Sequence, residues 1–450
     1  MNDTIAAIST ALGVGAISIV RVSGQDSIEI VNKLFKGKDL TIVPSHTIHY
    51  GYIIDNNEII DEVLVTVMKS PKTFTTEDIV EINSHGGIST TNKILELLLT
   101  NGARLAEPGE FTKRAFLNGR IDLIEADGIM NLISAKTDKA RKLSINQLNG
   151  EVTNTIKSLR EKLISIISNI EVNIDYPEYE DIEEVTSKKI KPSIIDVKNE
   201  LKELIKKSNE GKIINEGINV GIIGRPNVGK SSLLNTLLEE EKAIVTDIEG
   251  TTRDIVEGTI NLNGILLNLI DTAGIRETEN IVEKIGVEKS KEIIEKSDLI
   301  ILLLNNNEPL TKEDLNLLKI IKNKPHIILI NKIDLESKID ITKLPDEYIK
   351  ISIKNNSGIK ELKQRIIELF HLEELEIDDL TYLSDARSIA LLKKSLSYVE
   401  ESLTSIEKEE PIDIVEINIK SSWESLGEII GETYKEELID ELFQRFCLGK

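Results

Sequence analysis

Residues 224–231 constrain the fold of this 450-residue chain more than any other stretch, because they read Gly-Arg-Pro-Asn-Val-Gly-Lys-Ser. A mostly apolar run precedes them, and a helix-like segment follows them. This order of strand, glycine loop and helix is the one that a phosphate-binding loop requires. Gly224 and Gly229 permit backbone angles that a Cβ atom would block. A simple glycine turn is the alternative, but the complete motif favours a loop whose N–H groups surround a polyphosphate.

The side chains of this loop predict the cations of the site. The Lys230 ammonium is expected to reach the β- and γ-phosphates, and the Ser231 hydroxyl is expected to bind Mg²⁺. The Asn227 amide oxygen suits a monovalent cation beside the same phosphates, although the residue is also consistent with a purely loop-shaping role. The predicted nucleotide contacts in the loop are Asn227, Val228, Gly229, Lys230, Ser231 and Ser232.

A second motif, Asn331-Lys332-Ile333-Asp334, predicts which base is bound. It follows an apolar run well downstream of the phosphate loop. The Asp334 carboxylate can accept hydrogen bonds from the N1–H and amino groups of guanine together, whereas adenine lacks that donor pair. Asn331 can hydrogen-bond both the base and the phosphate loop. The tetrapeptide is common on protein surfaces, but at this place it predicts a guanine nucleotide.

Two motifs between these stretches predict elements that respond to the γ-phosphate. Asp271-Thr272-Ala273-Gly274 ends a strand-like run, so that Asp271 can hold Mg²⁺ through water and the Gly274 N–H can contact the γ-phosphate. Residues 250–254 stand where a mobile switch is expected, with the Thr252 hydroxyl as a second Mg²⁺ ligand. The four motifs in this order predict a GTP-binding domain.

The position after the Asp-x-x-Gly motif departs from many GTPases. A glutamine often stands there and positions the attacking water. This chain has Ile275, which cannot polarise water. Glu283 is a candidate carboxylate just beyond the motif, although a glutamate on a helix surface is the ordinary interpretation of such a residue.

Composition excludes several classes of protein. The formal net charge is −22, which argues against a broad basic surface that coats nucleic acid. The single cysteine, Cys447, excludes an intramolecular disulfide and fits a reducing cytoplasm. The N-terminus lacks the basic segment of a signal peptide, and no run approaches the ~18 apolar residues of a membrane helix. We therefore expect a cytoplasmic protein without a membrane association.

Secondary-structure patterns divide the chain into four segments. Residues 1–118 combine strand-like runs with helices, as in a small α+β domain. Residues 119–215 and residues 372–450 carry apolar side chains at helical spacing. Residues 216–371 alternate strands and helices, as in a doubly wound α/β domain. The simplest architecture is a helical domain into which the α/β domain is inserted.

Motifs at both ends of the chain add a family resemblance. They are Arg21-Val22-Ser23-Gly24, residues 77–82 before His85-Gly86-Gly87, residues 108–120 and the final Phe-Cys-Leu-Gly-Lys. Together with the nucleotide motifs, they resemble the MnmE (TrmE) family of tRNA modification GTPases. The resemblance implies an N-terminal tetrahydrofolate-binding and dimerisation domain, a discontinuous helical domain and an inserted Ras-like P-loop GTPase domain.

The resemblance also implies a reaction and partners. The family is expected to hydrolyse GTP in a K⁺-dependent way, as a homodimer joined to an MnmG-type protein in a heterotetrameric or larger complex. The partner uses FAD and NADH, and a tetrahydrofolate derivative supplies a one-carbon unit. Together they are expected to add an aminomethyl or carboxymethylaminomethyl group at C5 of the wobble uridine of certain tRNAs.

The family motifs assign further residues in this chain. The implied folate site consists of Arg21, Glu81, Arg120 and Lys450. The implied K⁺ ligands are Asn227, Thr246, Ile248 and Thr251, and the implied Mg²⁺ ligands are Ser231 and Thr252. Glu283 becomes the hydrolytic carboxylate. The implied nucleotide contacts beyond the phosphate loop are Thr246, Asp247, Ile248, Thr251, Thr252, Asp271, Thr272, Ala273, Gly274, Asn331, Lys332, Asp334, Ser352, Ile353 and Lys354.

The base-contacting loop departs from the family motif at one position. Ile353 stands where the family has alanine in its base-contacting loop, but its backbone N–H stays available. A GTPase switch in ribosome assembly would share the nucleotide motifs, yet it predicts an RNA-binding accessory domain, and the sequence has no evident KH-like segment. The N-terminal domain could also serve dimerisation alone. Cys447 is a candidate nucleophile, although a lone cysteine is more often a small buried hydrophobe.

Overall fold

The computed structural model describes residues 3–175, 187–240, 256–270, 292–372, 383–433, 436–444, 446 and 448–449. The chain forms two compact units. Unit 1 contains Met1–Met130, Leu148–Lys198 and Lys394–Lys450, and unit 2 contains Asn131–Gln147 and Asn199–Lys393. Among the described residues, none of the helices has the length and apolar character needed to cross a membrane.

Unit 1 begins with a seven-stranded sheet in the order β3-β4-β5-β6-β2-β1-β7. Its strands are β1 (Ile5–Ile8), β2 (Ile17–Ser23), β3 (Phe35–Lys36), β4 (Thr47–Asp55), β5 (Glu58–Met68), β6 (Ile79–His85) and β7 (Arg104–Leu105). Its helices are α1 (Ser27–Leu34), α2 (Ile88–Thr100) and α3 (Glu110–Leu117). The strand pairs are antiparallel except for β1 with β7.

The core of this sheet follows from the two-residue period of its strands. In β5, Val63, Val65 and Val67 are buried, whereas Leu64 between them is 47% exposed. Side chains alternate between the faces of a strand, and one face of the sheet packs against α1 and α2. On the other face, α3 covers part of β1, whereas Leu64 stays exposed. The predicted α+β fold is thereby confirmed.

After this sheet, further helices precede and follow the α/β segment in the sequence. They are α4 (Leu123–Ser134), α5 (Asp138–Leu148), α6 (Glu151–Asp175), α7 (Ser187–Glu216), α11 (Ala386–Glu407), α12 (Ile412–Ile430) and α13 (Glu436–Phe443). Within unit 1, α6 packs along α12, and the Arg160 guanidinium lies 4.2 Å from the centre of the Trp423 ring. Helices from before and after the inserted segment therefore share one core.

Apolar side chains recur at helical spacing over residues 138–172, and the structure divides this stretch into two helices. The chain breaks between α5 and α6, where Gly150 has a φ of 74°. This left-handed conformation suits glycine and ends a helix. Apolar spacing alone does not mark the break, because three- and four-residue spacing occurs on both sides of it.

Unit 2 contains a six-stranded sheet in the order β13-β12-β11-β8-β10-β9. Its strands are β8 (Ile218–Ile223), β9 (Val256–Leu262), β10 (Ile265–Ile270), β11 (Leu299–Asn305), β12 (His326–Asn331) and β13 (Ile349–Lys350). Helices α8 (Lys230–Glu240), α9 (Lys312–Ile321) and α10 (Ile359–Leu369) accompany them. Only β9 is antiparallel to its neighbour among these described strands.

The central strand of this sheet explains where the site forms. Every residue of β11 is buried, as expected for a strand covered on both faces. β8 and β12 flank it in parallel, so the loops after β8 and β12 emerge at the same edge of the sheet. Ligands bind at the carboxyl ends of such strands. The strand predicted over residues 348–353 is shorter, because a turn closed by Ser352 and Ser357 begins directly after it.

Candidate functional site

The phosphate loop lies between the end of β8 and the start of α8. Gly224 has a φ of 147°, and a Cβ atom there would lie 2.4 Å from the Leu303 carbonyl oxygen of β11. Only glycine therefore fits at the first fixed position. The Lys230 ammonium donates hydrogen bonds to the carbonyl oxygens of Gly224 at 2.8 Å and of Arg225 at 2.9 Å. The loop consequently wraps around the cation that the sequence predicts to bind phosphate.

Asn331 connects this loop to the loop that follows β13. Its side-chain amide donates to the Val228 carbonyl oxygen at 2.8 Å, and its side-chain oxygen accepts from the Ile353 N–H at 3.3 Å. The residue is only 3% exposed. Gly229 has a φ of 107°, and a Cβ atom there would lie 2.5 Å from the Asn331 side-chain nitrogen. The second glycine is therefore needed for the close approach of the two loops.

Lys332 and Asp334 extend this junction. The Lys332 ammonium donates to the Asn227 carbonyl oxygen at 2.9 Å. The Ser352 hydroxyl donates to Asp334 Oδ1 at 2.7 Å, and this hydrogen bond holds the pKa of the Asp334 carboxyl below its usual value. Asp334 is therefore ionised at neutral pH and can accept hydrogen bonds from two donors on one edge of a base.

The structure thus brings together one part of the predicted nucleotide site. Asn227, Val228, Gly229, Lys230, Asn331, Lys332, Asp334, Ser352 and Ile353 meet through the contacts above. Ser231 and Ser232 stand in the first turn of α8, and Lys354 is exposed beside Ile353. The remaining predicted nucleotide, cation and hydrolytic residues lie outside the described residues: Thr246, Asp247, Ile248, Thr251, Thr252, Asp271, Thr272, Ala273, Gly274 and Glu283.

A second candidate site lies on the N-terminal sheet. Arg21 on β2 and Glu81 on β6 are direct cross-strand neighbours, and Arg21 Nε donates to Glu81 Oε1 at 2.9 Å. The Arg120 guanidinium lies 5.0 Å from the centre of the Phe74 ring and donates to the Phe74 carbonyl oxygen at 2.7 Å. The Arg21 guanidinium lies 5.9 Å from the same ring. Two residues of the predicted folate set, Arg21 and Arg120, therefore lie against one aromatic ring, and Glu81 is linked to them through Arg21.

The C-terminal tail reaches this second site. The Ser9 hydroxyl donates to the Gly449 carbonyl oxygen at 3.0 Å, and Arg21 Nη1 lies 3.5 Å from the same oxygen. Gly449 has a φ of 86°, and a Cβ atom there would lie 2.3 Å from the Ile8 carbonyl oxygen. Glycine thus lets the tail lie against β1. Lys450, the fourth predicted folate residue, lies outside the described residues, as does Cys447.

Sequence reasoning missed two features near this second site. Phe74 has no motif that marks it as a platform for two arginines. Arg114 is 1% exposed and pairs with Glu110 at 2.9 Å and with Glu77 at 3.1 Å. Arg114 and Glu77 belong to the motifs that carry the family resemblance, but nothing in the sequence shows that this arginine is buried.

Comparisons with known proteins agree across the chain. A family model described as the MnmE helical domain matches residues 123–447, and one described as the GTP-binding protein TrmE N-terminus matches residues 4–120. The chain is similar to the tRNA modification GTPase MnmE of Bacillus cytotoxicus, with 54% identity over 455 residues that cover 100% of this chain and 99% of the relative. It is also 54% identical to the tRNA modification GTPase MnmE of Streptococcus thermophilus over 449 residues, which cover 100% and 98% of the two chains.

Solved structures match a smaller part of the chain. The G domain of the T. maritima FeoB iron transporter is 30% identical over 34% of this chain and 98% of its own, with a TM-score of 0.26.

Proposed function

The chain belongs to the MnmE family of tRNA modification GTPases, and from this membership we propose that it hydrolyses GTP in the cytoplasm and uses the cycle to modify tRNA. The observation that supports GTP as the nucleotide is the junction at Asn331, which joins the phosphate loop to the loop beside Asp334. A polyphosphate cradle and an ionised carboxylate for a base are thereby held in one rigid arrangement.

The reaction that we propose is the addition of an aminomethyl or carboxymethylaminomethyl group to C5 of the wobble uridine. The chain would act as a homodimer together with an MnmG-type protein that carries FAD and uses NADH. The full-length similarity to proteins named tRNA modification GTPase MnmE supports the choice of tRNA as the substrate.

The test is mass analysis of tRNA nucleosides from cells that lack this protein. We expect the C5-modified wobble uridine to disappear and to return when the intact gene is restored. Unchanged wobble uridines, together with a defect in ribosomal subunits, would instead support a GTPase switch in ribosome assembly.

The described residues fit the predicted cations of the nucleotide site. Asn227 has a φ of 62°, a conformation that asparagine tolerates, and the Lys332 ammonium holds its carbonyl oxygen. Its amide oxygen would belong to the K⁺ ligands, with Thr246, Ile248 and Thr251. Ser231 and Thr252 would hold Mg²⁺. A monovalent cation beside the β- and γ-phosphates supplies positive charge where charge develops during hydrolysis, and Glu283 would orient the attacking water.

This assignment predicts that GTP hydrolysis depends on the monovalent cation. We expect turnover in K⁺ to exceed turnover in Na⁺ by about tenfold or more, because a preorganised charge stabilises the transition state and about 1.4 kcal/mol of such stabilisation corresponds to a tenfold change in rate. Asn227→Ala should remove most of this difference without abolishing GTP binding. Equal slow rates in both salts for the unaltered protein would contradict the assignment.

The N-terminal site fits a tetrahydrofolate derivative. The Glu81 carboxylate can accept from the N–H edge of a pterin, and the arginines can pair with the carboxylates of a glutamate tail. Phe74 and Arg21 offer flat surfaces for an aromatic ring. The bound folate would supply the one-carbon unit, and the residues of this chain would bind and orient it.

Replacing Arg21 by alanine should weaken binding of tetrahydrofolate by about tenfold or more, because hydrogen bonds to charged groups are worth about 1.5–3 kcal/mol. Calorimetric titration with tetrahydrofolate measures the affinity. Arg365→Ala, an exposed arginine of α10, is the matched control and should bind as the unaltered protein does. Absence of binding to the unaltered chain would instead support a domain that only dimerises.

A further inference from the structure

Arg225 occupies a variable position of the phosphate-loop motif, and its side chain ties the loop to a neighbouring segment of the same unit. Arg225 is the second residue of the loop, and its Nε donates to Asp314 Oδ1 at 2.9 Å. Its Nη2 lies 3.1 Å from Glu308 Oε2. The Arg225 side chain is 17% exposed and that of Asp314 only 1%. Both carboxylates lie on the segment that runs from the end of β11 into α9.

Asp314 has a local role that does not explain its burial. Its Oδ2 accepts hydrogen bonds from the N–H and the hydroxyl of Thr311, both at 2.9 Å, and these cap the start of α9. The cap requires only neighbours along the chain, and aspartate is almost never fully buried unless it is paired. Here the second oxygen turns to Arg225, which covers it. A buried carboxylate needs such a charged partner, so the pair fixes the loop to α9.

Glu308 is held on its other side as well. Its Oε1 accepts from the Asn305 side-chain amide at 2.7 Å, and Asn305 is the last residue of β11. Two carboxylates therefore bind the Arg225 guanidinium. The end of β11 sets the position of Glu308, and the cap of α9 sets the position of Asp314. Planar guanidinium groups favour such fixed two-point contacts, and lysine cannot reproduce them.

The backbone of Arg225 carries this restraint to Lys230. The Arg225 carbonyl oxygen accepts a hydrogen bond from the Lys230 ammonium at 2.9 Å. Gly224 lies directly before it and packs against the β11 backbone. Fixing the Arg225 side chain consequently fixes the carbonyl that orients the phosphate-binding lysine. Without the anchor, the loop would have to lose more conformational freedom when it closes on a polyphosphate.

We propose that Arg225, held by Asp314 and Glu308, is a positioning residue that preorganises the phosphate loop for the triphosphate of GTP. The inference rests on the proposed GTP site and adds α9 to it. Arg225 acts through the loop backbone and Lys230, so its loss should weaken nucleotide binding and raise KM, and leave kcat within about twofold.

The test measures the Kd for GTP and for GDP by calorimetry on the full chain, with the midpoint of thermal unfolding beside each value. Arg225→Lys should weaken both affinities by about tenfold, because it keeps the charge but loses the two-point contact. Glu308→Gln should weaken them by about threefold. The double variant should bind no more weakly than Arg225→Lys alone, since both changes remove the same interaction. Glu313→Gln, on the exposed side of the same first helical turn, is the matched control and should bind normally.

Several outcomes would overturn the inference. Normal affinity of Arg225→Lys would do so, as would a lowered unfolding midpoint with unchanged Kd, which would mark a purely structural pair. Strictly additive losses in the double variant would also exclude a shared anchor. If Arg225→Lys does not fold, Glu308→Gln decides alone, because it leaves the contact of Arg225 with Asp314 in place. Failure of the unaltered protein to bind GTP would refute the proposed function instead.

Discussion

Asp334→Asn is expected to lower the affinity for GTP by about a thousandfold. Guanine offers two donors to the Asp334 carboxylate, and hydrogen bonds to a charged group are worth about 1.5–3 kcal/mol each. An asparagine at this position places an N–H₂ group against the guanine amino group, so one contact becomes a clash of donors. The Ser352 hydroxyl, which fixes the carboxylate at 2.7 Å, can still bond the amide oxygen.

The same substitution should transfer specificity to xanthosine triphosphate. Xanthine keeps the N1–H donor but has an oxygen in place of the amino group, so the asparagine amide can accept from one and donate to the other. Competition between GTP and xanthosine triphosphate for the variant measures the exchange. Asp346→Asn, an exposed aspartate of the same unit, is the control. If the variant still prefers GTP, Asp334 does not contact the base.

Arg114→Met is expected to destabilise the N-terminal sheet by about 3 kcal/mol, because it removes the buried cation that pairs with Glu110 and Glu77. Glu110 is 3% exposed, and among the residues that the structure describes the variant leaves it Arg104 as its charged partner. Burial opposes ionisation of Glu110, but hydrogen bonds from Arg104, the Glu107 N–H and Arg114 outweigh burial and hold its pKa below the usual value. The ion pairs of Glu110 with Arg104 and Arg114 therefore stabilise the folded state.

The pH dependence of this stabilisation has a definite sign. A carboxyl whose pKa is lowered by folding contributes stability above the pKa of the unfolded chain, and this contribution is lost as the pH falls through the lower folded pKa. Acidification should thus destabilise the unaltered sheet more steeply than that of Arg114→Met. Hydrogen exchange of the β1 and β2 amides reports the opening free energy without requiring the whole chain to unfold at once.

A control separates the buried network from ordinary surface pairs. Lys93 is 37% exposed and pairs with Asp55 and Glu96. Lys93→Met should change the opening free energy by less than about 1 kcal/mol. Equal exchange rates in Arg114→Met and in the unaltered protein would show that the network adds no net stability.

Local patterns predicted the fold where one residue type dominates an element. The uniformly apolar β11 and the glycine positions of the phosphate loop identified the α/β unit, because both patterns can be recognised from consecutive residues alone. β4 (Thr47–Asp55) was missed, since histidine, tyrosine and glycine interrupt its alternation. The helix break at Gly150 was missed because a single left-handed residue leaves the apolar spacing on either side intact.

At the two sites, contacts between residues far apart in the sequence were the hardest feature to predict. The hydrogen bond from Asn331 to the phosphate loop was anticipated, because the motif required it. The burial of Arg114 and the pair of Arg225 with Asp314 depend on which elements meet in space, and a lone charged residue in a sequence is most simply assigned to the surface. The predicted switch residues and Glu283 remain predictions.

The contact of Arg21 with Gly449 joins residues 428 positions apart, and this separation has a consequence for biosynthesis. The strands that carry Arg21 and Glu81 leave the ribosome early, but Gly449, which contacts Arg21, is synthesised 428 residues later. At about 5–20 residues per second, the nascent sheet waits roughly 20–90 s for its last element. A product broken off before residue 449 would therefore lack the carbonyl oxygen that Ser9 and Arg21 contact, so its N-terminal sheet would carry the Arg21–Glu81 pair without this contact.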